Sequence, residues 1–414
     1  MDTTTVPRAG IDVGTIRRQF PALSRQAGGH KAAYFDGPGG TQVPRQVVEA
    51  VSDYLLHHNA NTHWNYATSA ETDAILAASR EVVSDFLGCS ADEIAFGANM
   101  TTLTLHVSRA LGRGWSSGDE VVVTELDHHA NIDPWKALAK EIGLRVRVAA
   151  LDAATGELDM EDLARQITGR TRLVAIGGAS NALGTVNDVA AVIGLAKAAG
   201  ALTFVDAVHS APHLLPDVRS LGCDFLACSA YKFHGPHIGI VYARRDLVEA
   251  LDVPRLDPGP NEGAERLETG TQNHEGIAGA HAAVEFLASL GVGETRRSRL
   301  ESAYDSIHAH SSALFTTLWD GLGAIRGVTR FGPPPQRPRT PTVSVEIQGR
   351  APRDVAAALA DSGLFLSHGD YYATTVAERY GRAEGFLRIG LSVYSTASEV
   401  DRVLHALAAY ILRR

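Results

Sequence analysis

The sequence predicts an α/β protein: a large domain built on a mostly parallel sheet, followed by a smaller α+β C-terminal domain. Three observations support this. Apolar runs alternate with helix-periodic stretches over roughly residues 92–243, and TRLVAIGGASNALGTVNDVAAVIGLAKAAGALTFVDAVH reads as a βαβ unit. Near residue 294 the character changes: a long helical stretch leads to a proline-marked loop and then to an alternating strand, PTVSVEI. Finally, 414 residues, 45% apolar and 21% charged, suffice for a large core and a second, smaller domain. The expected divisions are an N-terminal arm over 1–30 that packs with the small domain, a large domain over 31–293 and a small domain over 294–414.

Composition narrows the function. The formal charge of −9 comes from 47 acids against 38 bases, and no basic block stands out, so no nucleic-acid partner is expected. No apolar run reaches 18 residues, and MDTTTVPRAGIDV carries an early acid and no apolar stretch. Neither a membrane span nor a signal peptide is therefore expected, and the expected location is cytoplasmic. Cys89, Cys223 and Cys228 have neither the density of a disulfide framework nor metal-ligand spacing. Cys223 and Cys228 read as small core residues, and no metal site is expected.

Taken in order, IRRQFPAL is a short helix on the arm, and AAYFDGPGGTQVP runs from a strand into a Gly/Pro turn. Val43 to His58 has helical spacing. In the polar run that follows, Trp64 and Tyr66 are costly to leave exposed. Thr72 to Leu87 is a helix, and from Asp92 a strand leads through the turn Asn99-Met100-Thr101-Thr102 into another helix. Backbone N–H groups at such a helix start can hold a phosphate, although a plain N-cap reads the same way. The strand DEVVVT ends in ELDHHANIDPW, and adjacent His128 and His129 cannot easily share a tetrahedral ion. A helix cap or a ring platform remains for them. Asn181 lies in the loop SNALGT, where it could also simply brace backbone; Asp188 and Asp217 read as cap acids.

Asp206 and Lys232 end two further apolar runs, LTFVD and CDFLACSA. Parallel sheets place such strand ends at the ligand crevice, where a charge must be paired or used. An acid able to pair with a cationic ring nitrogen and a lysine able to form an imine suit pyridoxal phosphate (PLP). An N-cap aspartate and a surface lysine would give the same letters. Thr271, in ETGTQN, can cap the next helix. Arg388, in FLRIGLSVY, suits a carboxylate, or an acid at a strand end. A capping box, Thr396 with Glu399, opens the closing helix.

From about residue 30 to 414 these motifs resemble the fold type I PLP enzymes, specifically the class V aminotransferase group that contains the cysteine desulfurases. The resemblance implies the PLP-dependent transferase fold with a seven-stranded sheet, and it assigns roles. Lys232 is the Schiff-base lysine, Asp206 meets the pyridine nitrogen, and Ser229 with the Asn99-Met100-Thr101 turn holds phosphate. His128, in DHHANIDPW against the family's EHHANIxPW, stacks on the ring and exchanges protons. Asn181, in SNALGT against SNxLGT, and His209 address the phenolic oxygen, with Tyr231 beside them in the cofactor pocket. Thr271, in ETGTQN against EAGTPN, reaches the phosphate of a second subunit, which implies a homodimer with shared active sites. Arg388 takes the carboxylate of an amino-acid substrate.

The pattern also departs from the family. Where desulfurases carry a nucleophilic cysteine, the chain reads Gly369-Asp370-Tyr371-Tyr372; Tyr372 takes the cysteine's place, and no cysteine follows Cys228. Ser367 stands where an arginine is usual. His209 replaces a glutamine and Tyr231 a histidine, substitutions that resemble kynureninase. The expectation is therefore an amino-acid lyase acting by β-elimination on a cysteine-like substrate, with Tyr371 or Tyr372 walling the pocket or donating a proton. The alternatives are a class V aminotransferase, a cysteine desulfurase using a non-standard route, a kynureninase-like C–C lyase and a non-catalytic PLP-binding scaffold.

Overall fold

The computed structural model describes residues 11–412. Residues 1–10 of the expected arm lie outside the described residues. The large sheet has seven strands: β1 (Ile94–Gly97), β2 (Glu120–Thr124), β3 (Arg145–Ala149), β4 (Thr171–Gly177), β5 (Leu202–Asp206), β6 (Phe225–Ser229) and β7 (Gly239–Ala243). Their order is β1-β7-β6-β5-β4-β2-β3, and β7 alone runs against its neighbours. The expectation of a mostly parallel seven-stranded sheet is met.

These strands are nearly continuous apolar runs because both faces of the sheet are covered. Along β6, Phe225 and Ala227 join a core under the helices Met100–Gly112 and Asp133–Ile142. Leu226 and Cys228 point to the opposite core, with Phe86 from the helix Ala67–Leu87 and Phe286 from His274–Ser289. Cys223 and Cys228 are thus the small core residues that their apolar surroundings suggested. Asp188 and Asp217 cap helices, each accepting a backbone N–H three residues on.

The small domain carries an antiparallel sheet of β8 (Val328–Phe331), β9 (Thr342–Ile347), β10 (Ser367–Gly369) and β11 (Phe386–Gly390), in the order β8-β9-β11-β10. The helices Arg296–Ala324 and Ala397–Leu412 cover it. Thr396 and Glu399 form the expected capping box, each side chain accepting the other's backbone N–H. Arg17, on the helix Val13–Arg18, makes a two-pronged contact with Glu399 at 3.0 and 2.9 Å and also donates to the Tyr394 carbonyl. Among the described residues, no helix is long and apolar enough to cross a membrane.

Trp64 and Tyr66 depart from expectation: they are 61% and 52% exposed. Their loop is held by its backbone, with the Trp64 N–H donating to Ser69 Oγ, so neither ring has to pack for the loop to hold its shape.

Glu399 is nearly buried and loses both prongs in Arg17→Ala, whereas Arg17 itself is partly exposed. The variant should lose about 1–3 kcal/mol of stability in chemical denaturation, between the values for surface and buried pairs.

Candidate active site

The carboxyl ends of the parallel strands open onto a cleft of about 1040 Å³ that small-domain residues close from the other side. Lys232 sits in the short turn Ala230–Lys232 directly after β6, and its side chain lines the cleft. Its Nζ donates to the Pro38 carbonyl and lies 4.9 Å from the Tyr231 ring centre. Burial, and then the positive charge of Arg388, hold the pKa of the amine down to about 7. Much of it is therefore an unprotonated nucleophile at neutral pH.

Asp206 ends β5 and lines an inner recess beside Lys232. It is 6% exposed, one oxygen accepts the Val208 N–H, and burial pushes its pKa up to about 6. Ser229 and Met100 share this recess, and Ser229 Oγ accepts the Met100 N–H, tying β6 to the helix start. Asn99 caps that helix through its side chain, accepting the Thr102 N–H, while Thr101 lines the cleft.

His128 follows β2. Its Nδ1 accepts the Ala130 N–H at 2.9 Å, which puts the ring proton on Nε2, and burial lowers its pKa to about 4. Asp127, just before it, is buried and accepts the Gly177 N–H; burial raises its pKa to about 8, so it carries a proton at neutral pH. Asn181 donates to the Tyr371 carbonyl, and its buried Oδ1 has no partner. His209 lies deep in the recess, its Nε2 3.0 Å from Thr340 Oγ1 and 3.2 Å from Thr342 Oγ1.

Arg388, on β11, is buried, and among the described residues no acid pairs with it. Its guanidinium lies 3.9 Å over the Tyr371 ring, Nη1 donates to the Asn181 carbonyl and Nε to Ser367 Oγ. Tyr372, 72% exposed, has its ring 5.5 Å from that of His128. Thr271 stands apart from this assembly: it is exposed and does not line the cleft. Nor does it cap the next helix, a task that Asn273 performs.

Sequence reasoning missed four participants: Pro38, which reaches Lys232 from far along the chain; His237, stacked on Tyr231 at 4.9 Å; and Thr340 with Thr342. The RTPT run held the last two, but nothing local to it points at His209. Among the described residues, no group of three or more His, Cys, Asp or Glu side chains is placed to hold a metal ion.

The family model for aminotransferase class-V matches residues 33–403. The chain belongs to the aminotransferase class-V family. It is 32% identical over 410 residues to a cysteine desulfurase of Pectobacterium atrosepticum, covering 95% of this chain and 96% of the relative. A probable cysteine desulfurase of Streptomyces coelicolor is 32% identical over 420 residues, covering 96% of each. Among solved structures, the apo cysteine desulfurase of Thermococcus onnurineus NA1 superposes with a TM-score of 0.87 at 28% identity, over 99% of both chains. The Escherichia coli cysteine desulfurase CsdA, in its S-sulfonic acid form, gives 0.83 at 28% identity, over 98% of this chain and 100% of that one.

The chain is a PLP-dependent enzyme, and its residues fit that cofactor. The recess combines a near-neutral lysine amine, a buried carboxyl with one oxygen unbound by protein, and an orphaned Asn181 Oδ1. Each is a polar group that a ring bearing a nitrogen, a hydroxyl and an aldehyde would satisfy.

Attachment of PLP to the apo-protein needs the neutral amine of Lys232. Its rate should rise ~10-fold per pH unit below about 7 and level off above, as followed by absorbance after mixing. A rate that stays steep up to pH ~10 would mean an ordinary, solvated lysine.

Proposed function

We propose that this protein breaks the Cβ–S bond of cysteine or a cysteine-like amino acid by β-elimination, with no thiol of its own taking part. The observation that carries this reading is Tyr372 at the cleft, in the position where the desulfurases it resembles have a nucleophilic cysteine. A phenol ionises only near pH ~10 and has no sulfur to transfer. The chain's own thiols offer no substitute: none of Cys89, Cys223 and Cys228 lines the cleft, and burial pushes all three up, Cys223 to about 12.

Bound PLP supplies a sink for the electron pair left when the α-proton departs. Lys232 holds the cofactor and, once the substrate's amine has displaced it, is the base beside that proton. Arg388, a buried cation in no ion pair among the described residues, takes the α-carboxylate. Asp206 would face the ring nitrogen and keep it protonated. His128 would lie over the ring as a neutral imidazole whose Nε2–H can hydrogen-bond the departing sulfur, the proton itself coming from the Lys232 ammonium formed when that amine takes the α-proton. Asn181, His209 and Tyr231 would surround the ring, with Ser229 and the Asn99–Thr101 turn at its phosphate.

A second reading is favoured by the relatives, which are named cysteine desulfurases and match along almost their whole length. In it the enzyme is a desulfurase whose sulfur acceptor is a thiol supplied from outside the chain. Thr271 supports a homodimer with shared sites, since it faces solvent away from its own cleft, and Leu56, Trp64 and Tyr66 leave apolar surface to cover.

Incubation of holoenzyme with cysteine, with and without added dithiothreitol, separates the readings by mass spectrometry. Elimination yields pyruvate, ammonia and sulfide whether or not the thiol is present. Alanine, formed only when the thiol is present, would establish the second reading, and a keto acid accumulating with pyridoxamine phosphate would overturn both. Light scattering should give twice the 44.0 kDa chain mass; a monomer with undiminished PLP affinity would rule out the shared site.

A further inference from the structure

The loop Asn181–Gly184 of the large domain is gripped almost entirely by the small domain. Four successive carbonyls accept small-domain donors: Asn181 from Arg388 Nη1 at 2.9 Å, Ala182 from Ser344 Oγ at 2.7 Å, Leu183 from Arg339 Nη2 at 3.2 Å and Gly184 from the Thr340 N–H at 2.8 Å. The fit is tight. Gly184 has φ +79°, and a Cβ there would lie 2.4 Å from the Thr342 carbonyl. Arg339 is clamped as well, its guanidinium 4.0 Å over Phe315 and donating to the Thr342 carbonyl.

This seam ends at His209. Thr340 Oγ1 lies 3.3 Å from the Gly184 carbonyl and 3.0 Å from His209 Nε2. A carbonyl only accepts, so with the Thr340 hydroxyl hydrogen on Gly184 the hydroxyl's lone pair faces the ring. In that arrangement Nε2 carries the proton toward Thr340, with Thr342 Oγ1 beside it at 3.2 Å. Burial keeps the ring neutral, and the nearby His213, Lys232 and Arg388 push in the same direction. Among the described residues, Nδ1 has no hydrogen-bond partner.

We infer that Thr340 and Thr342 are positioning residues that lock His209 as the Nε2–H tautomer, so that its bare Nδ1 offers the cofactor pocket an acceptor. The glutamine that the resembled desulfurases carry at this position can turn its amide to donate; a histidine locked in this way cannot. Whatever faces Nδ1 must bring its own hydrogen, as a ring hydroxyl does and a phenolate does not. The tautomer concerns the apo-protein alone, and only its consequence for PLP rests on the proposed cofactor site.

The test is ¹⁵N NMR of histidine-labelled apo-protein, with His209 assigned by its loss in His209→Asn. Wild type should show a bare-nitrogen shift at Nδ1 and a protonated one at Nε2. Thr340→Val removes the acceptor and should mix or reverse the two, while Thr340→Ser should restore the wild-type pattern. PLP should bind Thr340→Val about tenfold more weakly. A protonated Nδ1 in wild type would overturn the inference without any variant being needed, as would an unchanged tautomer in a folded Thr340→Val. If Thr340→Val does not fold, the wild-type spectrum and Thr340→Ser decide the matter. Failure to bind PLP at all, with the tautomer as stated, would instead sink the cofactor reading.

Discussion

The constraint on which this site depends is that two cationic side chains, Lys232 and Arg388, share one cleft in which, among the described residues, no carboxylate forms an ion pair with either. Removing a charge from water costs several kcal/mol unless something compensates it. The two are compensated differently. Lys232 can shed its proton near neutrality: burial and Arg388 outweigh the pull of Asp206 and Asp36, and its hydrogen bond is to a carbonyl. Arg388 cannot readily do so; burial lowers its pKa only to about 10, and it is held by a carbonyl, a hydroxyl and the face of Tyr371. A reactive amine and a guanidinium without a carboxylate partner among the described residues follow from the same arrangement, and anions are the ligands that suit it.

That arrangement accounts for the close binding of the small domain to the large one. Arg388 comes from β11 of the small sheet, whereas Lys232 and Asp206 come from the large one. Holding them in register requires a seam that does not slide, and the four carbonyls of residues 181–184 form it. The bond that positions Arg388 is made to the backbone of Asn181, so the buried guanidinium and one wall of the cleft are a single hydrogen-bonded unit.

How much of this could be read in advance depends on sequence distance. Asp206, Lys232 and His128 were legible because each ends a buried parallel strand, and the strand itself says where its end will be. Arg388 was legible because a guanidinium in an apolar strand is too costly to bury unless an anion, its own or a ligand's, is there to meet it. Pro38, Thr340 and Thr342 were not, because each acts on a residue 131 or more positions away through one carbonyl or hydroxyl. Such contacts leave no periodicity. Trp64 and Tyr66 misled for a related reason: side-chain cost predicts that a ring will be covered, without saying whether the same chain covers it.

The segment around Tyr372 shows how firmly that residue's backbone is held. Tyr371 and Tyr372 both have left-handed backbones, φ +58° and +56°, which for residues with a Cβ costs about 1–2 kcal/mol each. Such a turn persists only if its surroundings hold it. Here the Tyr371 carbonyl accepts from Asn181, the Tyr372 carbonyl from the His129 N–H at 2.7 Å, Asp370 accepts the Tyr372 N–H, and the Tyr371 hydroxyl donates to the Phe386 carbonyl. A residue that attacks substrate sulfur and then passes it on must move between two positions. One pinned through its own backbone on both sides stays where it is, and a side chain that stays can shape a pocket but cannot carry sulfur out of it.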